Sequence, residues 1–393
     1  MNPVLRRGIP VCAAAALALT LAGCASPSGQ LASTGSNAPE IIAGASLPGE
    51  PLTDREIDYY LDKIESNLTE ERTGRAPEPT SFERIRAFAE ADDGKAFYMI
   101  NLVRENETPQ YPSWWQGERA ETVMDAKKLY SAACAPKMAA AGSYSMFGVT
   151  LARDAVLTDE NDMEPWDQFY LISYPNRKAF LEMLASDEYA DAVIHKYAGD
   201  KDTQLIPVSA GTLAAQKTFE EGTPLTQEQV DEYMALYQAN LTVERTGHET
   251  DPATVERIRT FLETDDGKPF LMINLVREWD GPTYPSWWTG ERADSVLKAK
   301  MLYSAACSPI MAGAGSYSTL GVMTAYDAVV TDDDSLEPWD KFYLIAYPSR
   351  EAFMKLLVSD EYADAIVHKY AGDKDTQLIP VTYAQFSNPY AAA

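Results

Sequence analysis

SDEYADAVIHKYAGDKDTQLIPV, Ser186–Val208, returns as SDEYADAIVHKYAGDKDTQLIPV, Ser359–Val381, with only the order of Val and Ile exchanged. Outward from this stretch the correspondence continues without a gap. Residues 51–208 match residues 224–381 at a constant offset of 173. MINLVRE recurs at Met99 and Met272, YPSWW at Tyr111 and Tyr284, and EPWD at Glu164 and Glu337. Two copies do not make a solenoid, which needs three or more stacked units. They read as a two-fold pair fused into one chain, the product of duplicating a fold that closes its core across a homodimer interface.

Within one copy the apolar periodicity sets the elements. Ile57, Tyr60, Leu61, Ile64 and Leu68 fall at helical spacing, and Thr53 with Glu56 forms a capping box ahead of them. A second helix follows Pro79, with Phe82, Ile85, Phe88 and Ala89 on one side. Phe97–Arg104 is apolar on both parities, so this strand is covered on both faces. A helix is predicted from about Gly117 to Ala139, an extended run over Tyr144–Leu157, and a strand over Trp166–Tyr174. A helix from Arg177, broken at Ser186-Asp187 and ended at Gly199-Asp200, leads to a last strand over Thr203–Val208.

The order is two helices and then β-α-β-β-α-β, the ferredoxin-like pattern. Helices cover one sheet face; the other is apolar too and needs a lid, which the twin sheet supplies. The expected architecture is therefore α+β: two ferredoxin-like domains, each with a helical N-terminal prefix, packed sheet to sheet as a pseudo-dimeric α/β barrel, monomeric through that internal pairing. Repeat 1 spans residues 51–210 (prefix 51–92, ferredoxin-like part 95–209) and repeat 2 residues 224–383 (prefix 224–265, ferredoxin-like part 268–382). Residues 211–223 link them and 384–393 form a tail.

Residues 1–23 read as a leader: Arg6 and Arg7, then an apolar run over Val11–Leu21 too short to span a bilayer. Leu21-Ala22-Gly23-Cys24 resembles the bacterial lipoprotein box. That resemblance implies lipid on Cys24, a lipid-anchored, periplasm-facing protein of the cell envelope and, with Ala25 rather than Asp following, the outer membrane. Residues 24–50 are rich in Ser, Gly, Ala and Pro and read as a flexible tether. The formal charge is −26, and loss of the leader, with two cations and no acid, makes it −28. That sign excludes a nucleic-acid partner and leaves membrane attachment to the lipid rather than to a basic patch.

Motif residues for catalysis are scarce. There is no Gly-rich phosphate loop, nucleophile elbow, His-Glu-x-x-His or Cys-x-x-Cys, and no cofactor is expected. The paired acids Asp92-Asp93, Asp265-Asp266 and Asp332-Asp333-Asp334 lack the ligand spacing of a calcium loop, so no metal is expected. Of four cysteines, Cys12 lies in the leader and Cys24 is the lipid site; Cys134 and Cys307, at equivalent positions, read as buried thiols, with a disulfide across the pseudo-two-fold axis as the alternative. Asp191 and His195, repeated as Asp364 and His368, stand four apart on one helix. They read as an oriented general base or as an ordinary helix contact.

Asn101 (Asn274) interrupts an apolar strand face, either bonded to nearby backbone or anchoring a ligand in a cavity. Arg104 (Arg277) ends the same strand, suited to a carboxylate ligand or to a salt bridge. Tyr111 and Trp114 (Tyr284, Trp287) lie in an aromatic loop that packs a core or stacks on a ligand. Tyr144 and Trp166 (Tyr317, Trp339) are structural or orient that ligand.

Phe97–Val208 resembles the family called domain of unknown function 1330, in the dimeric α/β-barrel superfamily. The resembling marks are the Met-Ile-Asn-Leu-Val-Arg strand, Tyr130, Gly142-Ser143-Tyr144, Trp166-Asp167, and Tyr174-Pro175-Asn176-Arg177-Lys178-Ala179-Phe180 followed by Ser186-Asp187-Glu188-Tyr189. Repeat 2 carries them too, including Tyr347-Pro348-Ser349-Arg350 and Ser359-Asp360-Glu361-Tyr362. The prefixes and the Trp-Trp insertion depart from the usual short domain. The resemblance permits cofactor-independent monooxygenase or isomerase chemistry, while the residues favour binding of a small apolar or aromatic ligand. A third reading is an envelope interaction protein.

Overall fold

The computed structural model describes residues 49–75, 78–150, 158, 166–210, 214–325, 329, 339–384 and 386. The expected leader, Cys24 and nearly all of the tether lie outside the described residues, as do Asp332-Asp333-Asp334.

Repeat 1 runs α1 (Asp54–Asn67), α2 (Glu70–Thr73), α3 (Pro79–Glu90), β1 (Phe97–Glu105), α4 (Val123–Ala140), β2 (Tyr144–Thr150), β3 (Gln168–Tyr174), α5 (Arg177–Leu184), α6 (Asp187–Gly199) and β4 (Asp200–Ser209). Repeat 2 runs α7 (Gln227–Asn240), α8 (Val243–Thr246), α9 (Pro252–Glu263), β5 (Phe270–Glu278), α10 (Val296–Gly313), β6 (Tyr317–Thr324), β7 (Lys341–Tyr347), α11 (Arg350–Leu357), α12 (Asp360–Gly372) and β8 (Asp373–Thr382). The capping box forms as the sequence predicts, with Glu56 N–H donating to Thr53 Oγ1 at 3.3 Å and Thr53 N–H to Glu56 Oε2 at 3.0 Å. The break at Ser186 is a second N-cap: its Oγ accepts from Tyr189 N–H at 3.2 Å.

Two boundaries differ from the sequence reading. α4 starts at Val123 instead of Gly117, because Thr122 caps Asp125 N–H at 3.1 Å and the residues before it are held as a loop. β4 starts at Asp200 instead of Thr203, because pairing continues past Arg104–Asp202, through a register shift, to Glu105 opposite Asp200. The four-residue α2, ended by Gly74 at φ 81°, has no apolar stripe to betray it.

Both sheets are antiparallel, ordered β2-β3-β1-β4 and β6-β7-β5-β8, the ferredoxin-like order. They face each other. Tyr98, Ile100, Leu102, Phe169, Leu171 and Ile206 share one buried cluster with Leu271, Ile273, Leu275, Phe342, Leu344 and Ile379. Phe169 and Phe342 stack across the seam, centroids 6.1 Å apart and planes 14° apart. Edge β4 lies beside β6, where Val208 bridges Ala325, and edge β2 lies beside β8. Eight strands thus close a barrel with a packed apolar interior, each fully buried side chain there contributing roughly 1.5–3 kcal/mol.

The odd-numbered side chains of β1, Phe97 and Met99, face the other way, into a cluster with α1, α3, α5 and α6. The Tyr-Pro-x-Arg motif ties prefix to sheet. The Arg177 guanidinium, nearly fully buried, donates to Phe88 O near the end of α3, lies 4.4 Å over the Phe88 ring and faces Asp92 at 3.8 Å. Arg350 repeats this with Phe261 and Asp265. A cation at a helix C-terminus satisfies carbonyls that have no partner within the helix. Each repeat also reaches over its twin: Arg257 donates to Thr158 O at 3.3 Å, and Val329 N–H to Leu205 O at 2.9 Å.

Candidate functional site

The expected site residues fall in three places. Asn101 has the parity of Phe97 and Met99, so it lies on the helix side of its sheet and not between the sheets. It sits opposite Tyr170 on β3 and Leu205 on β4. Beside it is a polar cluster the sequence did not disclose. Lys127 from α4 sends its Nζ 2.9 Å from Glu105 Oε1 and 3.3 Å from Asp200 Oδ1. Lys196 reaches Asp200 Oδ2 at 3.0 Å and Thr203 Oγ1 at 2.8 Å. Gln168 bonds Glu105, and the Tyr170 hydroxyl bonds Gln168.

Burial opposes the Lys127 charge, but Asp200, Tyr170 and Glu105 outweigh it and its pKa is raised. Tyr170 is also raised, first by burial. Within this bonded cluster, Asn101 Oδ1 is buried without a hydrogen-bond partner among the described residues. The second repeat rebuilds the cluster with Lys300 at 2.6 Å from Glu278 and 3.0 Å from Asp373, and Lys369 at 3.2 Å from Asp373. There Asn274 Nδ2 donates to Met272 O at 3.0 Å.

Arg104 has the opposite parity and turns into the barrel. It pairs with Asp202, both nearly buried, and its guanidinium lies 3.8 Å over the Trp166 ring. Arg277 pairs with Asp375 at 2.6 Å and lies 3.9 Å over Trp339. Tyr144 packs against the same interior, and Tyr317 accepts Lys217 N–H at 2.9 Å.

The third place is the outer helix layer. The Tyr111 hydroxyl meets His195 Nδ1 at 2.8 Å and accepts Ala120 N–H at 3.2 Å; Trp115 packs edge-on to the imidazole at 6.1 Å. Tyr284, His368 and Ala293 repeat this. Trp114 and Trp287 stand out in solvent, 45% and 46% exposed, on the rings of Trp115 and Trp288. Burial lowers the His195 and His368 pKa, with Glu118 and Glu291 pulling the other way. The expected carboxylate–imidazole contact is replaced. Asp191 is 2.6 Å from Arg72 and Asp364 is 2.7 Å from Arg245, because the prefix brings an arginine to that face of the helix.

Cys134 and Cys307 are buried free thiols, and burial pushes them up to about 11 and about 12. They are inert as nucleophiles near neutral pH. Among the described residues no group of three or more His, Cys, Asp and Glu is placed to hold a metal, and no helix is long and apolar enough to cross a membrane.

Lys127, Asp200 and Lys196 are the residues that sequence reasoning missed. One signal was present: Lys127 returns as Lys300, while its neighbour Lys128 becomes Met301.

No family model matches the chain, and no curated protein matches it. Solved structures do. Two structures of a protein of unknown function from Rhodopseudomonas palustris, one of them methylated, are 27% and 25% identical, cover 36% of this chain and 96% of their own, and give a TM-score of 0.29. A candidate monooxygenase from Lactobacillus acidophilus NCFM is 11% identical over 75% of this chain and 96% of its own, TM-score 0.33. A mutant chlorite dismutase from Candidatus Nitrospira defluvii is 8% identical over 73% and 92%, TM-score 0.34.

Proposed function

We propose that each half binds a small, largely apolar or aromatic molecule that carries a hydroxyl or N–H donor, on the helix side of its sheet. Asn101, Glu105, Lys127 and Tyr170 receive it in the first half, and Asn274, Glu278, Lys300 and Tyr343 in the second. The observation that carries this reading is Asn101 Oδ1, a buried acceptor without a hydrogen-bond partner among the described residues. A buried acceptor without a partner costs about 1–3 kcal/mol, which a ligand donor recovers. The four first-half groups are only partly buried, so the patch is within reach of solvent.

Binding is preferred over cofactor-independent catalysis because Asp191, the carboxylate that would orient His195, is held by Arg72. In the same reading the Leu21-Ala22-Gly23-Cys24 box supports a lipid anchor on Cys24 and a place in the bacterial envelope, facing the periplasm from the outer membrane. The motif run from Phe97 supports kinship with the domain of unknown function 1330.

Native mass spectrometry of protein made without residues 1–23 and with Cys24→Ser tests the binding. A retained small molecule is expected, and Asn101→Leu with Asn274→Leu should release it. A chain that carries no adduct and takes up none from a panel of hydroxylated aromatics contradicts the proposal.

A further inference from the structure

The second half holds a cavity of about 160 Å³, lined by His248, Thr250, Trp279, Lys369, Tyr370 and Thr376 among others. It lies where the prefix meets the end of α12 and the start of β8. In the first half Arg75 stands at the position of His248. Its guanidinium lies 4.8 Å over Tyr197 and donates to Asp200 O at 3.0 Å. Asn106 stands at the position of Trp279 and donates to Ala198 O at 3.0 Å. Of the lining residues, Tyr237, His248, Thr250, Asp251, Thr254 and Trp279 all differ from their first-half counterparts, and two of these changes matter most. A long cation gives way to a shorter imidazole, and a small amide gives way to an aromatic wall.

The imidazole of His248 stacks on the Tyr370 ring, centroids 4.2 Å apart and planes 24° apart. Trp279 is fixed by Nε1–H to Tyr370 O at 3.3 Å and by its backbone N–H to Gly372 O at 3.0 Å, yet 38% of it stays exposed. A cavity of about 150 Å³ accommodates one benzene ring. Two aromatic walls and a single-ring volume select a planar monocycle. All five charged residues that line it are engaged: Lys369 with Asp373 at 3.2 Å, Asp375 with Arg277 at 2.6 Å, Asp251 as acceptor of Ala253 N–H at 2.6 Å, and Lys374 over the Trp279 ring at 5.9 Å. A neutral guest therefore suits the cavity better than an ion. The Thr250 hydroxyl donates to Leu241 O at 3.3 Å and the Thr376 hydroxyl to Asp373 Oδ2 at 3.5 Å, so each offers an acceptor lone pair to a guest hydroxyl, and the imidazole donates or accepts according to its tautomer.

We infer that this cavity of the second half is a ligand site selective for neutral monocyclic phenols. The inference does not rest on the sheet-side patch proposed above.

The test is a titration of the full chain with phenol, read by tryptophan fluorescence, with benzoate as the charged comparison. Saturable quenching by phenol is expected, with benzoate at least tenfold weaker. His248→Arg installs the residue of the first half and should weaken phenol at least tenfold, while Trp279→Phe keeps the wall and, by isothermal titration, keeps binding within threefold. Asn101→Leu with Asn274→Leu should leave this titration unchanged, which separates the two sites. No saturation by phenol, or equal affinity in His248→Arg, overturns the inference.

Discussion

The two repeats have one skeleton and two surfaces. At the seam many positions match: Phe169 faces Phe342, Arg104 with Asp202 mirrors Arg277 with Asp375, and Trp166 mirrors Trp339, while Tyr98 becomes Leu271 and Phe147 becomes Leu320 within the same buried cluster. Away from the seam they diverge. Arg75 becomes His248, Asn106 becomes Trp279, Gln168 becomes Lys341, and exposed Met124 and Lys128 become Leu297 and Met301. The two seam changes keep a buried apolar side chain, because it must pack against the twin sheet. A side chain exposed on a prefix or loop has fewer neighbours to fit and is freer to change.

The largest test of this comparison lies at the seam. Phe342→Ala should destabilise the protein by about 3–5 kcal/mol, and Phe169→Ala by a similar amount. Because the rings touch, the double variant should cost less than the sum of the two, as denaturant unfolding would report. Next come the barrel arginines. Arg104→Met and Arg277→Met each strand a buried carboxylate and should cost about 3–5 kcal/mol, equally in the two halves. An unequal pair would mean that the interior is less symmetric than its geometry.

The sheet-side cluster should be softer. Lys127→Met leaves Lys196 on Asp200, so roughly 1.5–3 kcal/mol is expected, with the same for Lys300→Met. The smallest effect is a pH slope. Burial lowers the pKa of His195, His248 and His368 below the ordinary value of 6.5. A depressed folded value means that the unfolded chain takes up protons first as pH falls. The histidine contribution is thus complete above about 6.5 and lost below it. Denaturant midpoints at pH 7 and 5.5 should converge when all three are changed to Gln; an unchanged gap would assign it to carboxylates alone.

Much of the fold was legible. A strand apolar on both parities, Phe97–Arg104, demands cover on two faces, and duplication supplied the second. Ser186 and Gly199 marked helix limits because capping is local chemistry. The α4 start was misplaced because the loop from Asn106 to Thr122 is held by long-range bonds, among them Gln110 N–H to Ala198 O at 2.8 Å. The candidate site was legible only in part. Asn101 was singled out as a polar interruption, but its neighbours Asp200 and Lys127 come from other elements. The Asp191 partner is Arg72, 119 residues away. Helical spacing offered His195 as a partner, and tertiary packing overrode it.

The central claim is that the two halves share one core through their facing sheets. Hydrogen–deuterium exchange of the intact chain with and without Phe342→Ala tests it most directly. The amides of β1 and β3 in the first half should lose protection along with those of β5 and β7 in the second, as one cooperative unit. Loss confined to the second half, with the first keeping its full protection, would contradict it.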